Sequence, residues 1–172
     1  MLDRMTSIEL AIRNERTEME YYLEQARRSK NPVAKLLFET LAADEKEHMV
    51  RIEGLHRKLT ADGAWPDDLP IEVAGTEILG RVNKLMEEKD TSASHDDDDI
   101  AALEKAAKGE ADGSRFYKEL AQVCDNQKEK KFFEFLAKIE REHLLSIQDS
   151  LFYLRDPDAW FEEKGRSSFD GG

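Results

Sequence analysis

When the 172-residue chain is slid along itself by 95 positions, residues 5–59 align with 100–154 without a gap, and 17 of the 55 pairs are identical. Unrelated stretches of this length would share about four. The matched pairs include Ala11/Ala106, Glu15/Glu110, Tyr22/Tyr117, Phe38/Phe133, Leu41/Leu136, Glu45/Glu140, His48/His143 and Ile52/Ile147. A chain made of two copies of one unit must pack the copies on each other, because a single supersecondary unit leaves its apolar face uncovered.

The period inside each copy says what the unit is. Ile8, Ile12, Glu15, Met19, Tyr22 and Ala26 follow steps of four and three, as do Leu41, Glu45, His48, Ile52, Leu55 and Leu59. The second copy repeats this with Leu103, Ala107, Glu110, Ser114, Tyr117, Ala121 and Cys124, then with Leu136, Glu140, His143, Ile147, Ser150 and Leu154. Such steps put each set on one face of a helix. The predicted helices run from about Met5 to Ser29, from Asn31-Pro32 onward (an N-cap followed by proline at the first helical position), from near Asp99, and from near Gln127. The links at Ser29–Asn31 and Asp125–Asn126 are short enough to make each pair an antiparallel hairpin.

The expected organisation is therefore all-α. Residues 1–155 form a four-helix bundle of two repeated hairpins, 5–59 and 100–154, joined by one long crossover, 61–99, and a tail follows at 156–172. The crossover holds Trp65-Pro66 and Leu69-Pro70, an amphipathic piece from Thr76 to Lys89 suited to a shorter helix, and the run Asp96 to Asp99. That run, beside His95, is expected to be a solvated loop end that complements the dipole of the third long helix. The tail breaks at Asp156-Pro157. Its Trp160, Phe161 and Phe169 are candidates for docking on the bundle or on a second subunit.

Composition narrows the partners. The formal charge is −12, which argues against nucleic acid or an anionic membrane surface and is compatible with metal cations. The crossover carries most of the imbalance, with 12 acids against 3 bases. One cysteine, Cys124, rules out an intramolecular disulfide or a Cys-x-x-Cys metal site, and is expected to pack as a small hydrophobe. The N-terminus lacks an apolar segment of signal type, and no apolar run is long enough to span a bilayer. A soluble cytoplasmic protein is expected.

The inner faces carry four carboxylates and two imidazoles: Glu15, Glu45, His48, Glu110, Glu140 and His143. An ionised carboxylate in a bundle core costs several kcal/mol unless it is paired or bound to metal. Two divalent cations would neutralise four carboxylates. Glu-x-x-His puts both groups on one helix face one turn apart, and mixed carboxylate and imidazole ligation suits iron or manganese. A Glu from each of two helices plus Glu-x-x-His from each of the other two is the di-iron carboxylate pattern of helical bundles. A lone Glu-x-x-His is weak evidence, since about half an occurrence is expected here by chance. The third one, Glu53-Gly54-Leu55-His56, pairs with Gln148 and Leu151 in the repeat and falls beside the inner stripe, so Glu53 and His56 read as surface residues.

Ala11-Ile12-Arg13-Asn14-Glu15 with Tyr22 seven residues on, Phe38-Glu39-Thr40-Leu41-Ala42 running into Glu45-Lys46-Glu47-His48, and their counterparts around Glu110, Tyr117 and Glu140-Arg141-Glu142-His143 resemble the rubrerythrin branch of the ferritin-like superfamily. The resemblance implies a ferritin-like four-helix bundle with one long crossover and a di-iron centre at mid-bundle. It implies two iron ions, with manganese as the alternative: Glu45 and His48 on one, Glu140 and His143 on the other, and Glu15 and Glu110 completing or bridging the pair. Such proteins typically reduce hydrogen peroxide, while some relatives oxidise ferrous iron with dioxygen or store it. A bundle whose metal is structural is a further reading, and a homodimer is expected.

Two departures from the family pattern matter. Rubrerythrins usually carry a four-cysteine rubredoxin-like domain for electron entry, which a single cysteine cannot supply, so an external donor such as a rubredoxin-like protein is expected. They also usually carry an extra Glu one turn after the ligand Glu of the third long helix. That position is Gly113 here, and the matching place in the first helix holds Glu18. Glu18 becomes a candidate for the same role from the other side, being one turn from Glu15. Tyr22 and Tyr117 are candidates for hydrogen bonds to the carboxylates.

Overall fold

The computed structural model describes residues 4–66, 78–88 and 97–169. Six helices and no strand occur among them: α1 Arg4–Arg28, α2 Pro32–Asp62, α3 Ile78–Glu88, α4 Asp97–Val123, α5 Gln127–Arg155 and α6 Pro157–Phe169. His95 and Asp96, Leu69-Pro70, and the side chain of Phe169 lie outside the described residues.

Repeat-related asparagines start the second helix of each hairpin in the same way. Asn31 has extended backbone (φ −76°, ψ 125°), and its side chain accepts from the N–H groups of Val33 and Ala34. Asn126 (φ −86°, ψ 125°) does the same for Lys128 and Glu129. These are groups that no helical carbonyl can reach, so the caps fix where each helix begins. α2 ends at Gly63, whose φ of 66° is left-handed and suits glycine.

α1 packs along α2 and α4 along α5, and the hairpins meet through α1 with α4 and α2 with α5. The core divides into two apolar clusters. One contains Tyr22, Leu37, Phe38, Leu41, Leu103, Ile147 and Leu151, and the other contains Ile8, Ile52, Leu55, Tyr117, Phe133 and Leu136. Each of the four long helices therefore contributes apolar residues above and below a middle section. Glu15, Glu45, Glu110 and Glu140 fall in that section, and all four are buried.

The first cluster joins the C-terminal part of α1 to the N-terminal part of α4, so these helices run antiparallel, as do α2 and α5. The crossover must return the chain along the bundle, and α3 lies on that path. α3 presents Ile78, Val82 and Met86 to the first cluster and packs against α2 and α5. The two-hairpin bundle expected from the repeat is the one observed, with the ferritin-like arrangement that the resemblance implies.

Two segments are more ordered than expected. Asp97–Asp99 does occupy the first turn of α4. Asp99, however, is buried rather than solvated: its Oδ2 accepts from the N–H of Asn31 at 2.9 Å and of Lys30 at 3.3 Å, tying the start of α4 to the α1–α2 turn. The tail forms α6, capped by Asp156, whose Oδ1 accepts from the N–H of Ala159 at 3.0 Å. Trp160 is only 1% exposed, meets Tyr153 edge-on and donates to Asp149 at 3.1 Å, so the tail docks on α5 of its own bundle. Cys124 is half-buried against the second apolar cluster, as expected.

Candidate metal centre

Three overlapping groups of side chains meet at mid-bundle. Glu45, His48 and His143 form one, Glu45, Glu110, Glu140 and His143 a second, and Glu15, Glu18, Glu45 and Glu140 a third, each able to bring its ligand atoms within 4.8 Å of one another. All six residues expected from the spacing are present, and Glu18 joins them from α1. Glu18 is partly exposed as a residue, but its Oε2 is buried. Glu53 and His56 stay outside. They pair with Arg16 at 3.2 Å and Glu9 at 3.4 Å on the partly exposed side of α2.

Glu45 occupies the centre. Its Oε1 lies 2.8 Å from His143 Nδ1 and its Oε2 lies 3.1 Å from His48 Nδ1. His48 Nδ1 is also 3.2 Å from Glu15 Oε2, and His143 Nδ1 is 3.4 Å from Glu110 Oε1. The two imidazoles are stacked, with centroids 5.6 Å apart and planes 21° from parallel. Both therefore turn the same ring nitrogen toward the carboxylates.

The halves hold each other through tyrosines. The Tyr22 hydroxyl on α1 donates to Glu110 Oε1 on α4, and the Tyr117 hydroxyl on α4 donates to Glu15 Oε1 on α1 at 2.6 Å. Burial pushes both phenols well above their ordinary range, and Glu110 and Glu15 respectively add to this, so both remain protonated donors.

The electrostatics divide the carboxylates. Burial, then Glu45, pushes Glu15 up to about 7. Burial foremost also pushes Glu18 and Glu140 well above the ordinary carboxylate range, with Glu45 and Glu110 adding to Glu18, and Glu110 and Glu18 adding to Glu140. Glu45 is equally buried, but His143 and His48 outweigh that cost and hold it below the ordinary range. Burial acts against protonation of the imidazoles. Glu15 and Glu45 nevertheless bring His48 up to about 9, and Glu45 and Glu110 raise His143 well above its ordinary value.

Glu45 and Glu140 are equivalent in the repeat but not in space. Gly113 accounts for part of the difference. A Cβ there would sit 3.3 Å from both Cδ and Oε2 of Glu140, so the missing side chain gives this carboxylate its place. What the glycine offers is room for close approach, since its backbone is ordinary helix.

Buried atoms without a hydrogen-bond partner concentrate here: Glu15 Oε2, Glu18 Oε2, Glu45 Oε1, Glu110 Oε2, Glu140 Oε2, His48 Nε2 and both ring nitrogens of His143. Unmade bonds at buried polar atoms are costly, and so many in one place mark a binding site. Carboxylate oxygens and imidazole nitrogens are the donors that iron and manganese take. The side chains present fit a pair of such ions.

The spacing does not single out Asp44, which comes within 3.6 Å of His143 Nε2. The available signal is its mismatch in the repeat, where its partner is Ile139.

A four-helix bundle with such a cluster at its middle defines the class of ferritin-like di-iron carboxylate proteins. Among known families, the chain matches Rubrerythrin over residues 7–74 and 101–156, and it belongs to the rubrerythrin family. No curated protein and no solved structure matches it. No helix among the described residues is long and apolar enough to cross a membrane.

Proposed function

We propose that this chain binds two iron ions and reduces hydrogen peroxide with electrons from an external donor. The observation that carries this reading is the fifth carboxylate, Glu18, beside the four that a neutral divalent pair would need. Two ferrous ions among five carboxylates leave about one net negative charge, and two ferric ions about one net positive. A site so balanced tolerates gain and loss of two electrons with little reorganisation. Four carboxylates would favour the reduced state.

Bound iron would supply the two electrons that convert peroxide to two waters. In this reading Glu45 would serve both ions, His48 and Glu15 one of them and His143 and Glu110 the other, and Glu140 and Glu18 would complete the set. Tyr22 and Tyr117 hold Glu110 and Glu15 in place as the charge changes. The reaction consumes two protons. The electrons come from a rubredoxin-like protein or a donor of that class, in the cytoplasm.

Stopped-flow absorbance of the reduced, iron-loaded protein is expected to show oxidation by peroxide on the order of tenfold faster or more than by dioxygen. A preference for dioxygen would reassign the protein as a ferroxidase, and no turnover with either would make the metal structural. Glu18→Gln removes the fifth negative charge and keeps the volume. It is expected to raise the midpoint potential of the iron-loaded protein, which spectroelectrochemical titration measures. An unchanged potential would remove Glu18 from the charge balance.

A further inference from the structure

Two glycines one turn apart, Gly109 and Gly113, flank Glu110 in the middle of α4. Glycine inside a helix is destabilising relative to alanine, so each calls for a reason. Gly113 has one, since a Cβ there would press on Glu140. Gly109 has none of that kind. A Cβ built on it meets nothing within 4 Å, and its backbone is not left-handed. The space beside it is open and is left unfilled.

That space lies toward α1. Ala102, two turns before Gly109 on the same side of α4, accepts from the Tyr21 hydroxyl of α1 at 2.8 Å. Ser114, on the opposite flank, donates to the Ala137 carbonyl of α5 at 2.9 Å. Glu18 comes from the matching flank of α1, three residues before Tyr21. Of the seven side chains in the three ligand groups, Glu18 alone is not fully buried. Further in, Glu110 is 0% exposed and its Oε2 has no partner. The seam between α1 and α4 therefore has side chains on one wall, Asn14 and Glu18, and bare glycine at their repeat counterparts, Gly109 and Gly113, on the other. The second seam between the hairpins, α2 with α5, has α3 packed against both helices.

We propose that Gly109 holds open an entrance between α1 and α4 by which divalent metal ions reach the cluster, with Glu18 the first carboxylate they meet. This rests on the reading of the cluster as a two-metal site. Arrival and departure share an entrance. Narrowing it slows both by one factor and leaves affinity alone, whereas damage to a ligand weakens affinity and shows mainly in departure.

The test follows cobalt(II) by visible absorption: uptake rate in the metal-stripped full chain, removal rate in excess EDTA, and affinity at equilibrium. Gly109→Leu and Gly109→Met put long, helix-favouring side chains into open space, so Tm should stay at or above that of wild type. Both are expected to slow uptake and removal by about tenfold or more, with affinity unchanged to within about twofold. Gly109→Ala, which adds one carbon, should keep rates near those of wild type. Gly54→Leu, at a helical glycine of α2 whose nearest neighbour is Arg57, should do the same. Unchanged rates in both long variants, a loss of affinity carried by removal alone, or equal slowing in Gly54→Leu would each overturn the entrance. Failure of wild type to bind two cobalt ions would instead overturn the two-metal reading beneath it.

Discussion

Replacing Glu45 by glutamine is expected to cut the metal content of the purified protein from about two ions per chain to below one. No other residue belongs to all three ligand groups at mid-bundle. Its two oxygens face different histidines, at 2.8 Å and 3.1 Å, so its loss affects both metal positions together. The surrounding charges also keep it ionised. A carboxamide has nearly the same volume, so the fold should persist. It offers only one neutral oxygen, and its NH₂ group would point at a cation or an imidazole. Elemental analysis with circular dichroism checks the result, and Glu53→Gln, in the decoy Glu-x-x-His, should leave the content unchanged. Retention of two ions by a folded Glu45→Gln protein would remove Glu45 from the ligand set.

The second large effect concerns stability against pH. Glu15 is raised from 4.5 to about 7 and His48 from 6.5 to about 9. A group whose pKa is higher in the folded state contributes stability that is complete below its unfolded value and disappears as pH rises through the folded one. In the metal-stripped protein, the Glu15 contribution is therefore lost between about 4.5 and about 7, and that of His48 between about 6.5 and about 9. Glu45 is shifted the other way, so its contribution is lost only on the acid side of the ordinary carboxylate range. The Tm of stripped protein should fall from about pH 6 to about pH 9 by on the order of 5 °C or more. Metal displaces the same protons, so its apparent affinity climbs with pH and the gap between loaded and stripped Tm should widen. Differential scanning calorimetry at matched ionic strength measures both. A stripped Tm that is flat or rises over this range would contradict the protonation pattern.

Much of the centre is legible in the sequence because helical period and repeat are both local properties. Steps of four and three place Glu15, Glu45, His48, Glu110, Glu140 and His143 on inner faces, and the 95-residue offset separates them from the decoy at Glu53 and His56. The unequal standing of Glu45 and Glu140 is not legible there, since the repeat makes them equivalent. It comes from contacts across helices, including the space that Gly113 leaves beside Glu140. Asp44 escapes for a related reason: it sits off the inner stripe of α2 and matters only because α5 passes beside it. α6 was open to prediction by the same grammar as α2. Asp156-Pro157 and Asn31-Pro32 are both a capping residue followed by proline at the first helical position, yet read alone the former marks equally well a chain break.

The crossed tyrosines bear on why the two halves share one chain. Because Tyr22 holds a glutamate of the second hairpin and Tyr117 one of the first, neither hairpin contains a complete set of supports for its own carboxylates. Two separate copies of one hairpin, related by a twofold axis, would satisfy the same crossed pattern. In that assembly every substitution would occur twice, and the two metal positions would be identical by symmetry. Tethering through residues 61–99 lifts that constraint. It allows a glutamate at 18 to have a glycine as its counterpart at 113, and an aspartate at 44 an isoleucine at 139. Covalent linkage thus lets a twofold scaffold hold two ions in different environments, as no homodimer of hairpins could while remaining symmetric.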